Sequence, residues 1–74
     1  MEFKIKAGPQ GHYYLPKIVR EALGQELCLV PNTKTGVIYS RGADLRDVIK
    51  SVRIILADLR LQAEREAREE RQHG

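Results

Sequence analysis

Cysteine occurs once in this 74-residue chain, tryptophan not at all, and only four residues are aromatic. The single thiol, Cys28, excludes an internal disulfide. Cys28, His12 and His73 stand too far apart in sequence to form a recognisable metal-ligand motif. Apolar runs stop at three or four residues, whereas a membrane span takes about 20. Met1–Lys6 alternates apolar and polar residues and has no apolar core of the kind an export signal needs, so a cytoplasmic, reducing setting is expected. No cysteine–histidine or serine–histidine pairing falls within one segment. Gly8 and Gly11 lack the third glycine and the following helix of a phosphate loop. These absences argue against an enzyme, a bound metal and a cofactor.

What remains is a size problem. A chain this short buries only about 60% of its unfolded surface. Chains below roughly 80 residues are usually held by disulfides, a metal or a partner chain. With the first two excluded, self-association is the expected remedy. Charge supplies a second clue. Residues 1–42 hold six Lys/Arg against three acids, while residues 43–74 hold seven of each sign. The whole net charge of +3 lies in the first part, which fits either ordinary solubility charge or a polyanion-binding module joined to something else.

Hydrophobic periodicity gives the expected elements. Residues 2–7 read as a strand with Phe3, Ile5 and Ala7 on one face, followed by a Gly8-Pro9-Gln10-Gly11 turn. His12–Leu15 resumes β-type alternation, with Tyr13 expected in the core and Tyr14 on the face of His12. Pro16 opens a short helix bearing an Ile18, Val19, Ala22 and Leu23 stripe, and Gly24 is placed as its C-terminal cap. Leu27–Val30 and Val37–Ser40 form the next two strands around Thr33–Gly36, with Cys28 acting as a small core residue. Asp44 then caps a long helix reaching about residue 70. Its seam is Leu45, Val48, Ile49, Val52, Ile55, Leu56 and Leu59, broadened by Ala63. That seam either packs on the chain's own β-unit or, the favoured reading for a helix longer than that unit can cover, joins a second helix. The segment from Glu64 to Arg71 carries no seam. Its carboxylates, and that of Glu64 toward Arg60, are accounted for by i,i+4 pairs such as Arg60–Glu64 and Arg65–Glu69.

Lys6 to Gly24 resembles the AbrB/MazE/SpoVT family of swapped-hairpin DNA-binding domains. Gly11, Leu15-Pro16, Lys17, Arg20 and Leu23-Gly24 carry the likeness, and a second hairpin follows as it does in that family. The resemblance covers about residues 3–42 and implies an α+β fold. In that fold the hairpins and short helix of two chains interleave in one dimer, ahead of the C-terminal amphipathic helix. The division implied is a DNA-binding domain at 1–42 and an oligomerisation helix at 43–74. The resemblance also implies a basic face presented to double-stranded DNA, here Lys4, Lys6, His12, Lys17 and Arg20, with Lys34 and Arg41 as weaker members. Arg20 is the residue suited to a base edge, because a guanidinium pairs bidentately with guanine. The lysines suit phosphates.

The expected function is therefore a homodimeric transcriptional regulator or nucleoid-associated factor, tetrameric if the long helix joins two dimers. The alternative is the antitoxin of a toxin–antitoxin pair, in which the C-terminal segment would bind a toxin protein. A module that only oligomerises or binds protein is the third reading.

Overall fold

A computed structural model describes residues 2–73. The chain forms two units, Met1–Arg41 and Gly42–Gly74. The elements in order are helix α1 (Lys17–Leu23), strand β1 (Leu27–Pro31), strand β2 (Gly36–Ser40) and helix α2 (Leu45–His73). The chain is thus α+β, with a two-stranded antiparallel hairpin followed by a long helix.

In the first unit, residues 2–8 and 12–16 are not strands. They are arms flanking a tight turn at Pro9–Gly11. Gly11 N–H donates to the Gly8 carbonyl at 3.2 Å, and Gly8 N–H donates to the His12 carbonyl at 2.6 Å. Pro9 sits at the second turn position and Gln10 at the third with φ 62°, the left-handed placement a type II turn demands. Beyond that closure no ladder forms. Among the described residues, residues 2–7 and 13–15 make no backbone hydrogen bond outside the regular elements. The expected strands are therefore corrected to unpaired arms. Alternation expresses a preference for extended backbone, but a strand also needs a paired neighbour, and among the described residues neither arm hydrogen-bonds to the other along its length or to the open edges of β1 and β2. Tyr13, expected in the core, is 65% exposed for the same reason.

Helix α1 begins one residue after Pro16, whose carbonyl accepts from Val19 N–H and Arg20 N–H, both at 3.0 Å. Val19 and Leu23 are half-buried, while Ile18 is exposed. The helix ends at Gly24, whose N–H donates to the Arg20 carbonyl at 2.9 Å. Gly24 has φ 86° and ψ −168°, a region open to glycine almost alone. A Cβ there would meet nothing within 4 Å, so any substitution penalty comes from the backbone itself. Gly24→Ala is expected to cost about 1–3 kcal/mol in urea denaturation at fixed protein concentration. Gly24→Asn should lose as much, because ψ lies outside the left-handed helical region that asparagine tolerates.

The hairpin pairs Leu27 with Ser40, Cys28 with Tyr39, Leu29 with Ile38 and Val30 with Val37. Asn32 N–H donates to the Thr35 carbonyl at 2.7 Å, and the Asn32 side chain accepts from Thr33 N–H at 2.6 Å, closing the loop. At the other end Arg41 N–H donates to the Glu26 carbonyl at 3.0 Å, while the two side chains form an ion pair at 3.3 Å. Side chains alternate across a strand, so one face carries Cys28, Val30, Val37 and Tyr39 and the other carries Leu27, Leu29 and Ile38. Both faces are apolar. A hairpin with one face in water would alternate apolar with polar residues.

The second unit is a helix of 29 residues, about 44 Å long at 1.5 Å per residue. Asp44 caps it as expected: its carboxylate accepts from Arg46 N–H at 2.8 Å, and its carbonyl accepts from Asp47 N–H and Val48 N–H. Such a cap contributes about 1 kcal/mol. Leu45, Val48, Ile49, Val52, Ile55, Leu56, Leu59 and Ala63 share an arc of about 120° at 100° per residue. Val48 and Val52 are half-buried and the rest are exposed. No single helix can cover its own stripe. Among all the described residues of both units, none is buried.

Candidate nucleic-acid interface

Each cation expected to face DNA lies on the surface, held by a different part of the first unit. Lys4 and Lys6 sit two apart on the first arm, the spacing that puts both on one side wherever the backbone is extended. His12 stands at the end of the turn, and its backbone accepts from Gly8 N–H and donates to the Pro9 carbonyl at 3.4 Å. The turn hydrogen bonds therefore hold its backbone at the start of the second arm. Lys17 and Arg20 are three apart on α1 and share a face.

Two of these cations are already paired. Lys17 Nζ lies 3.7 Å from the Glu21 carboxylate, and the Arg41 guanidinium lies 3.3 Å from that of Glu26. Both pairs are largely exposed and hold their partners weakly. Among the described residues, Lys4, Lys6, Arg20 and Lys34 have no carboxylate within 4 Å. Lys34 lies in the loop joining β1 to β2 and Arg41 just beyond the opposite end of β2. A five-residue strand separates the two by about 17 Å, so one chain does not bring them into a single cluster.

The i,i+4 pairs expected on α2 are absent. Neither Arg60–Glu64 nor Arg65–Glu69 lies within 4 Å among the described residues. Exposed pairs of this kind gain a few tenths of a kcal/mol and are easily given up to water.

Two features of α2 fall outside the expected sites. Ile54 and Leu61 are exposed at 65% and 52% on the side of the helix away from the seam, and nothing in the structure explains them. Arg46, Arg53 and Arg60 recur at intervals of seven residues along one edge of the seam. The signal for this row was present in the spacing. A heptad repeat orders polar positions as strictly as apolar ones.

Among the described residues no helix is long and apolar enough to cross a membrane. No group of three or more His, Cys, Asp or Glu side chains gathers there to hold a metal ion. Comparison with protein-family models, curated proteins and solved structures finds no match for this chain.

Proposed function

We propose that this chain is a homodimeric, cytoplasmic DNA-binding protein of the AbrB-like swapped-hairpin kind, acting as a transcriptional regulator or nucleoid-associated factor. The observation that carries this reading is the coincidence of two properties in residues 1–41. That unit holds the whole positive charge excess of the chain, and its unpaired arms and two-faced apolar hairpin are left open. A second copy supplies what one chain lacks. Its arms pair with these arms, and its hairpin covers the apolar faces. Two-fold symmetry then duplicates Lys4, Lys6, His12, Lys17, Arg20, Lys34 and Arg41 around one DNA-facing surface. Lysines neutralise phosphates there, and Arg20 reads a base edge. The seam of α2 adds helix–helix contacts between chains, and its regular helix gives self-association more support than the wrapping of a toxin.

The test is a titration of labelled mixed-sequence duplex with the protein at several salt concentrations. Affinity should fall steeply with salt, by roughly 0.9 in log–log slope for each phosphate neutralised. Lys4→Ala or Lys6→Ala should weaken all duplexes alike and lower the slope by about 1 for each phosphate left unneutralised. Arg20→Ala should cost about 1–3 kcal/mol on a selected site and flatten sequence preference. Absence of binding at low salt would overturn the proposal.

A further inference from the structure

The charges of α2 are arranged differently along its length. From Glu64 to Arg71 cations and carboxylates alternate closely. Over the seam-bearing part they separate by face. Arg46, Lys50, Arg53 and Arg60 fall within an arc of about 80°, whereas Asp47 and Asp58 lie about 60–80° beyond that arc, toward the opposite edge of the seam. All four cations are exposed, and among the described residues none has a carboxylate within 4 Å. The three arginines stand about 10.5 Å apart and span about 21 Å of helix. Arginine presents a planar fork that grips a phosphate through two hydrogen bonds.

We propose that this row is a second nucleic-acid contact, at which α2 lies along a duplex backbone and Arg46, Arg53 and Arg60 bind phosphates, with Lys50 beside them. It rests on the reading that the protein binds duplex DNA. The row itself is a site additional to the basic face of residues 1–41. Its regular repeat matches a ligand whose charge also repeats, and 21 Å corresponds to about six base-pair steps at 3.4 Å per step.

The alternative polyanion is an anionic lipid surface, and the composition of α2 disfavours it. A helix lying in a membrane interface carries cations around its polar face and aromatic anchors on its apolar one. Here the three arginines flank one edge of the seam only, the other edge carries Ser51, Asp58 and Gln62, and residues 45–73 contain no Phe, Tyr or Trp.

The experiment compares the full chain with Arg46→Gln/Arg53→Gln/Arg60→Gln in duplex titrations between 50 and 200 mM salt. Glutamine keeps helix propensity, and circular dichroism with sedimentation checks that fold and assembly are retained. The variant should lower the salt slope by about 2.7 for each helix engaged, so that the parent chain loses about 40-fold more affinity over that salt range. The triple lysine variant at the same positions should restore most of the slope. Arg65→Gln/Arg68→Gln/Arg71→Gln, which removes equal charge from the mixed end, should leave it unchanged. Should the two glutamine triples reduce the slope equally, or neither reduce it, the row is not a contact, while duplex binding by the first unit stands. A parent chain that binds no duplex overturns both proposals. Row-dependent flotation with phosphatidylserine vesicles, with no effect on duplex binding, would overturn this one in favour of lipid.

Discussion

Val37→Lys and Ile38→Lys are each expected to abolish folding at micromolar concentration, although they alter opposite faces of one two-stranded hairpin. Val37 lies across from Val30, and Ile38 across from Leu29. If either face were solvated in the assembled protein, a lysine on it would be tolerated. In the proposed interleaved dimer a second copy covers both. Each substitution then removes a buried branched side chain and leaves an unpaired charge among apolar groups, at a cost of about 3–5 kcal/mol. A small domain has only about 5–15 kcal/mol in total. Circular dichroism and sedimentation of the two variants test this directly. A folded dimer with lysine at either position would show that face to be open to water, and the interleaved arrangement would fall.

The second large effect concerns the seam of α2. Val52→Asp/Leu59→Asp is expected to dissociate the helices and remove most of the ellipticity of residues 45–73. A helix in water draws most of its stability from packing an apolar face, and each buried aliphatic group there contributes about 1.5–3 kcal/mol. Arg65→Asp, beyond the stretch the seam residues occupy, should change neither helicity nor mass. If the double variant kept the parent mass and ellipticity, the seam would not be an interface between copies of this chain.

What could be read from the sequence followed from how local each signal is. Asp44 needs only its own carboxylate and the next two or three amide groups to begin a helix, and the spacing of Leu45 to Leu59 needs only the helical period. Both were legible. So were β1 and β2, whose turn chemistry lies between them, and Gly24, whose φ value makes its cap function independent of any neighbour. The arms at 2–8 and 12–16 were not legible as they stand. Their alternation calls for a strand, and what decides the outcome is pairing, which neither the other arm nor the edges of β1 and β2 supply among the described residues. The side-chain pairings show the same divide. Arg60–Glu64 had the right spacing and does not form. Arg41–Glu26 forms across 15 positions because the β1–β2 register brings those residues together, and that register is a property of the folded hairpin. For the candidate interface, residue types and charge asymmetry were readable. The wide separation of Lys34 from Arg41 was readable too, since the expected strand Val37–Ser40 lies between them.

The length of α2 has a consequence for how two copies can be oriented. The seam is centred near residue 54, and Glu70 stands about 24 Å further along the axis. In a parallel pair the two Glu70 positions lie side by side, about 10 Å apart. In an antiparallel pair centred on the seam they stand about 50 Å apart. A spin label or fluorophore attached at that position would therefore act as a ruler, its pair distance reporting the direction of the helices in a single spectrum.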